Sequence, residues 1–358
     1  MAYFKSFGIR TAGVYGAVPQ ARIPLENFIG QFPEAIVNRF IERTGITSVY
    51  RSPSEQTASD LGYAAAECLL EKLHVDRNDI GILLFSTQSP DYIKPATACV
   101  LQKRLNLSTQ CAAFDVSLGC SAFVYCNQLI QAMMMAGTAR YGLLIIAETS
   151  SRLVSPQDKS IAMMFGDAGA AVLYEKMGTG ETCTLLMSDG NRYKTIIVPA
   201  GGFRDRHPEE EYYIGPDGKK RSKYCEYMDG IEVFSFSVTD VVNSIQEYLE
   251  TFNRNISEYD YVVLHQANQQ ILNRISYKLN IPVQKILISL DEYGNTSGVS
   301  IPLTIAKELG GLKEGKKRIL AVGYGIGLSW GITEMTVECN SIFPVIETNE
   351  CYKEGIVK

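Results

Sequence analysis

Two scarce residue types dominate the chemistry available to this sequence: nine cysteines and three histidines. Cys120 lies in Asp115-Val116-Ser117-Leu118-Gly119-Cys120-Ser121-Ala122-Phe123. The pattern predicts a short apolar strand, a turn of small residues, and a helix starting at or just after Cys120. A thiol placed there feels a helix N-terminus, which favours the thiolate and offers free backbone N–H groups. Such a cysteine can accept an acyl group as a thioester. It can equally be a small apolar residue under a helix, as expected for Cys126, and on these residues alone the two readings stand level. Tyr261-Val262-Val263-Leu264-His265-Gln266-Ala267-Asn268 puts an imidazole at the carboxyl end of a buried strand, where α/β folds bind ligands. A lone histidine is more often structural, so position alone does not settle its role. His74 and His207 stand in polar, turn-like contexts and are expected at the surface. Tyr293-Gly294-Asn295-Thr296-Ser297-Gly298 is good turn chemistry, and would also aim the Asn295 amide at whatever centre the turn faces. Gly323-Tyr324-Gly325-Ile326-Gly327-Leu328-Ser329-Trp330-Gly331 lacks the spacing and the lysine of a phosphate loop. A backbone N–H donor for an oxyanion fits it better.

These residues need strands and helices to hold them. Ile82–Phe85, Leu143–Ile146, Tyr261–Leu264 and Ile319–Val322 are continuous apolar runs, as in strands covered on both faces. Helical spacing separates them. Phe123, Leu129, Ile130, Met133 and Met134 share one side of a helix over Ser121–Ala136, with Gly137 as its stop. Val238, Val241, Val242, Ile245, Leu249 and Phe252 form another apolar stripe. Alternating strand and helix make the class α/β. The order also repeats: Leu264 follows Leu84 by 180 residues, while Asn295 and Leu320 follow Cys120 and Ile145 by 175 each. The sequence therefore reads as two similarly folded halves, 1–178 and 179–358, meeting near Lys176–Cys183, with Asn295 where Cys120 sits in the first half. Phe203–Tyr227 stands apart as polar and turn-rich; a solvated surface loop is the favoured expectation, a substrate-facing flap the lesser one.

Composition narrows the function classes. The 358 residues are 46% hydrophobic and 20% charged, enough for a large core, with a net charge of −5. No basic excess points to nucleic acid. No apolar run approaches the ~18–20 residues of a membrane span, and Met1–Arg10 lacks a signal-peptide layout. A soluble cytoplasmic protein is expected. The odd cysteine count and the absence of any C-x-x-C spacing argue against disulfides or a metal cluster.

Taken together, Cys120 in D-V-S-L-G-C-S-A-F, His265 in H-Q-A-N, Asn295 in G-N-T-S-G-V-S-I-P and the terminal G-x-G-L-S-W-G resemble ketoacyl-acyl-carrier-protein synthase III, a thiolase-like condensing enzyme family. Arg43-Thr44-Gly45-Ile46 and Phe165-Gly166-Asp167-Ala168-Gly169-Ala170 extend the likeness over nearly the whole chain. The resemblance implies a thiolase-like fold of two pseudo-symmetric α-β-α-β-α halves, a homodimer and a tunnel for a phosphopantetheine arm. Cys120 would carry the acyl group, the backbone N–H groups of Cys120 and Ile326 would hold its oxyanion, and His265 with Asn295 would stabilise the enolate left by malonyl decarboxylation. Acyl and malonyl thioesters of coenzyme A or acyl carrier protein would be the substrates, with no cofactor and no metal.

Arg43, Lys94, Asn268 and Lys159 are the substrate-binding positions it implies, Lys94 on a loop reaching toward the partner subunit's site. Several positions depart from the family's fatty-acid enzymes. Arg39 stands in place of a tryptophan, Asp158-Lys159-Ser160 in place of Asp-Arg-Gly, Gln270 in place of an arginine, and Lys94 in place of an aromatic or apolar residue. These leave the chemistry intact and the acyl group open, with fatty-acid initiation and a specialised pathway both fitting. Lys219-Lys220-Arg221, Arg274 and Lys278 are either carrier contacts or a solvated basic face. Three rival readings share some of the features: an acyltransferase on the same fold using an alcohol or amine, a papain-like thiol hydrolase, and a non-catalytic partner subunit.

Overall fold

A strand that is apolar on both faces must be covered twice, and this chain meets that need with three apolar layers around one twisted sheet. The computed structural model describes residues 2–353. Nine strands share the sheet: β1 (Ala2–Pro19), β2 (Ile80–Ser86), β3 (Ala112–Val116), β4 (Tyr141–Glu148), β5 (Ala168–Ser188), β6 (Tyr261–Leu264), β7 (Lys316–Gly325), β8 (Ser329–Glu338) and β9 (Ile346–Thr348). Their order is β6-β7-β8-β5-β4-β2-β3, with β1 laid along β5 and β9 along β1. β2 pairs in parallel with β3 and β4, as does β6 with β7.

Side-chain alternation sorts these strands into layers. Ile82 and Leu84, Leu144 and Ile146, Val263, Ile319 and Ala321 all point into one central cluster. The Ala122–Ala136 and Ser300–Leu309 helices fill it with Phe123, Ile130, Ile301 and Leu303. The intervening residues face outward. Leu83, Phe85, Leu143 and Ile145 pack on the Ala58–Lys72 helix, whereas Val262, Leu264, Leu320 and Val322 pack with Ile245, Ile271 and Ile275. The arrangement is α/β with a central mixed sheet, the thiolase-like architecture that the motifs suggested.

Each of the two stretches, 1–178 and 179–358, contains parallel strand pairing. Leu83 pairs with Leu143 in the first half, and Val263 with Ala321 in the second. Where Ile82 meets Ala112 of β3, the second half has only an isolated parallel bridge between Val262 and Ile286. Position 178/179 falls inside β5, whose first residues pair with β4 and whose residues 184–188 pair with β8. Gly178 and Gly180, both at positive φ, lie between those two stretches, where the pairing with β1 shifts register.

One predicted element divides. The stripe from Val238 to Phe252 is two helices, Gly230–Val238 and Asp240–Thr251, with a break at Thr239 (φ −118°, ψ −73°). Val238 belongs to the first of them. An apolar stripe reports a shared face, and two successive helices can share one.

Candidate active site

The strand β3 ends at Val116, and the chain turns through Gly119, whose carbonyl accepts from the Ala122 N–H at 2.8 Å. Cys120 therefore sits two residues before the central helix and is buried, with 7% of its surface exposed. Its sulfur lies 3.9 Å from the Ser297 hydroxyl. Burial pushes the thiol up to about 12; Glu226 adds to this, while Ser297 and the Ile326 backbone N–H pull the other way. The helix-end position suggested a thiolate. Desolvation beside acidic neighbours outweighs it, and the proton stays on sulfur.

His265 follows directly from β6: its N–H donates to the Val322 carbonyl at 2.8 Å, and Nδ1 lies 2.8 Å from the Ser300 hydroxyl. The Tyr324 ring packs edge-on at 5.4 Å, and its hydroxyl donates to the His265 carbonyl. Burial pushes the imidazole down to about 3, with the Ser297 backbone acting in the opposite sense. It is neutral at ordinary pH.

Asn295 is fixed through both its main chain and its side chain. Its N–H donates to the Met164 carbonyl at 2.9 Å, and its carbonyl accepts from the Gly166 N–H at 3.1 Å. These bonds join the turn to Phe165-Gly166-Asp167 of the other half. The Ser297 N–H donates to Asn295 Oδ1 at 2.9 Å, so the amide's acceptor is occupied and its NH2 remains to donate. Ser297 makes that bond at φ 51°. A non-glycine residue in this region is held there by its surroundings.

The end of β7 closes over the thiol. A Cβ on Gly325 would come within 2.5 Å of Cys120 Cβ and 2.9 Å of Sγ, so only glycine fits. The next residue, Ile326, aims its N–H at the sulfur, and its carbonyl accepts from Ser329 Oγ at 2.6 Å. Ser329 Oγ in turn lies 2.7 Å from Ser121 Oγ, which ties the loop to the start of the central helix.

One cavity of about 500 Å³ brings together Cys120, His265, Asn295 and Ile326, and of the positions expected to bind substrate Arg43, Asn268 and Lys159. Lys94 is exposed and outside that cavity. Asn268 Oδ1 caps the Gln269–Lys278 helix by accepting from the Ile271 N–H at 2.9 Å. Arg39, one helical turn before Arg43, lines the cavity too, as does Lys219. These exposed cations make its mouth basic. Ser297, Ser300 and Glu148 were not singled out from sequence. The first two lie inside the Asn295 motif, so its full length carried the signal. Glu148, at the end of β4, accepts from the Gln88 N–H and the Ser89 hydroxyl at 2.9 Å each, and burial still pushes it up to about 8. His74 and His207 are exposed, as expected.

The excursion corrects a sequence expectation. Phe203–Tyr227 is more than a solvated loop, because Lys219 and Glu226 line the cavity. Its hairpin pairs Tyr212–Ile214 with Lys220–Ser222. Arg221, placed among the free basic residues by sequence, is buried: Nε donates to Asp158 Oδ2 at 3.0 Å and Nη2 to Asp217 Oδ2 at 2.8 Å. Asp158 also accepts from Ser160. Lys278 Nζ likewise is committed, to the Val238 carbonyl at 2.6 Å. Low apolar content marked the segment as polar but could not show that its charges pair inward.

All nine cysteines are free, and among the described residues no acidic, His or Cys group is arranged to hold a metal. Among the same residues no helix is long and apolar enough to cross a membrane.

Comparison with known proteins fits this geometry. The family model for 3-oxoacyl-[acyl-carrier-protein] synthase III matches residues 114–190, which include Cys120. Its C-terminal counterpart matches residues 249–337, which include His265, Asn295 and Ile326. The excursion falls between the two. A beta-ketoacyl-[acyl-carrier-protein] synthase III of Rhodopirellula baltica is 35% identical over 346 residues, 90% of this chain and 97% of that protein. One of Clostridium perfringens is 34% identical over 297 residues, 81% of this chain and 87% of that protein. The crystal structure of a 3-oxoacyl-(acyl-carrier protein) synthase from Burkholderia xenovorans superposes with a TM-score of 0.91 at 33% identity, covering 97% of this chain and 99% of that one.

Proposed function

This chain belongs to the 3-oxoacyl-[acyl-carrier-protein] synthase III family, and on that premise we propose that it condenses a Cys120-bound acyl group with a malonyl thioester, releasing CO2 and a β-ketoacyl thioester. The observation that carries the assignment is the convergence of Cys120, His265 and Asn295 on one cavity, with the Asn295 acceptor already occupied by the Ser297 N–H. That arrangement leaves donors facing the substrate, as decarboxylation requires.

In the first half-reaction the Cys120 sulfur attacks the carbonyl of an acyl thioester. Its proton passes to the departing thiol of coenzyme A or the carrier's phosphopantetheine. The Cys120 and Ile326 N–H groups receive the tetrahedral oxyanion. In the second, the tautomer in which Nδ1 accepts from the Ser300 hydroxyl carries the His265 proton on Nε2. Nε2–H and the Asn295 NH2 then donate to the malonyl thioester oxygen. The carboxylate leaves as CO2, and the enolate's negative charge builds on that oxygen between two fixed donors. A neutral imidazole suits this role, since it can donate without introducing a charge before one is needed. The enolate carbon forms a bond to the acyl carbon, the C–S bond to Cys120 breaks, and the sulfur takes up a proton from solvent.

The basic mouth, with Arg39, Arg43, Lys159 and Lys219, suits the phosphates of coenzyme A or of a carrier's prosthetic arm. Asn268 keeps its NH2 for the same arm. The reading includes a cytoplasmic homodimer, Lys94 serving the partner subunit's site, and no cofactor or metal beyond the thioesters.

Intact mass after exposure to acyl thioesters, then to a malonyl thioester, tests the sequence of events. An adduct should form on Cys120 and then disappear with CO2 release and a β-keto product, and Cys120→Ala should acquire none. An adduct on Cys120→Ala would remove the nucleophile assignment. Transfer to an alcohol or amine without CO2 release would replace condensation with simple acyl transfer.

A further inference from the structure

Glu226 is a cavity-lining carboxyl that the condensation does not use. It leaves the excursion immediately before Tyr227–Met228, which pairs with Ile196–Ile197. Its N–H donates to the Leu153 carbonyl at 2.7 Å, so its backbone is fixed against the cavity rim. The same cavity is also lined by Leu153, Ile196, Met228 and Phe236. The residue is 8% exposed, and Oε1 is buried with no hydrogen-bond partner. Among the described residues nothing donates to either oxygen: burial alone shifts this carboxyl, up to about 7. Glu148 makes the contrast, since it lines the same cavity with its oxygens engaged by the Gln88 N–H and the Ser89 hydroxyl. Buried polar groups are almost always paired, and an orphan in a binding cavity marks the place of a missing partner.

The missing partner must come from whatever fills the cavity. Glu226 and Cys120 line the same cavity, and the carboxyl raises the thiol further. Lys219 and Lys159 line the cavity too, yet neither reaches the carboxyl.

We propose that Glu226 selects an acyl group bearing a hydrogen-bond donor, a hydroxyl or an ammonium. The proposal rests on Cys120 being the acyl carrier, and it names the substrate class of that same site. A plain alkyl acyl group would leave the carboxyl buried and unpaired. Sites built to bond a substrate hydroxyl reject the analogue that lacks it far more strongly than apolar pockets discriminate methylenes.

The test measures rates of Cys120 acylation, read by intact mass, from butyryl, 3-hydroxybutyryl and 3-aminobutyryl coenzyme A. Wild type, Glu226→Gln and Glu226→Leu are compared. Wild type should prefer at least one substituted chain over butyryl by about ten-fold or more. Glu226→Leu should lose that preference and accept butyryl faster than wild type does. Glu226→Gln separates the two donors: it keeps an acceptor for a hydroxyl but loses the charge that an ammonium needs. Equal or faster wild-type acylation by butyryl overturns the proposal, even if both variants fail to fold. Loss of acylation by all three chains alike in well-folded Glu226→Gln also overturns it, since that marks a role in the reaction rather than in selection. If no acyl thioester, these or any longer chain, modifies Cys120, the acyl-carrier assignment itself falls, and the selectivity with it.

Discussion

Cys120 keeps its proton up to about 12 and His265 stays neutral down to about 3, so the two share a cavity without forming an ion pair. This separates the site from a thiolate–imidazolium pair, in which histidine charges to activate sulfur. Two outcomes follow at this scale. The rate of Cys120 alkylation by iodoacetamide should rise about ten-fold per pH unit from pH 6 to 9, since the thiolate fraction grows ten-fold per unit below the thiol pKa. A plateau below pH 8 would show a thiolate already formed. Second, His265→Ala and Asn295→Ala should each slow malonyl decarboxylation by roughly 10²-fold or more, the usual loss for an oxyanion donor. Acylation of Cys120 should fall far less. Equal loss of both half-reactions in rapid-quench assays would remove the division of labour between sulfur and the two donors.

The elements around these residues explain why the donors stay aimed. Gly325 ends β7 against Cys120, and a methyl group there would stand 2.5 Å from Cys120 Cβ. Gly325→Ala must push the Ile326 N–H away from the sulfur. Overpacking of this kind costs about 1–3 kcal/mol, and a displaced oxyanion donor should cost about 10²-fold in acylation. Thermal melts and single-turnover acylation measure the two effects, and acylation at the wild-type rate would show that Ile326 is not needed as a donor. Much of this frame was legible from sequence. The four apolar runs announced strands covered on both faces, and the Cys120 and Asn295 turns fell where their motifs placed them. Other parts were not legible, for identifiable reasons. β1 carries Lys5, Arg10 and several glycines, so its length follows from pairing with β5 rather than from its own pattern. The helix break at Thr239 is invisible to a stripe that both helices share. Burial of Arg221 and Glu226 is set by partners and cavities far along the chain, whereas composition reads charge as surface.

At the scale of the whole molecule, the three apolar layers stabilise a fold that tolerates two buried, protonatable carboxyls around one cavity. Burial raises Glu148 to about 8 and Glu226 to about 7, from an ordinary value of 4.5. A carboxyl whose folded pKa lies above its unfolded one binds its proton more tightly when folded. Its stabilising effect is fully present below about 4.5 and is lost as pH rises through the folded value. The protein should therefore melt at progressively lower temperature between pH 5 and 8. Glu226→Gln cannot ionise, so it should match wild type near pH 4 and exceed it at pH 8, by up to about 3 kcal/mol. Melting curves across that range decide the point, and a difference that does not change with pH would show that Glu226 reaches water in the folded state. A stability cost at neutral pH persists where function needs the group that causes it. A donor carried on the Cys120-bound acyl chain would pair with the carboxylate and remove most of that cost. Acylation by such a chain should accordingly flatten the wild-type dependence of melting temperature on pH, while acylation by an alkyl chain of equal length should leave it as steep.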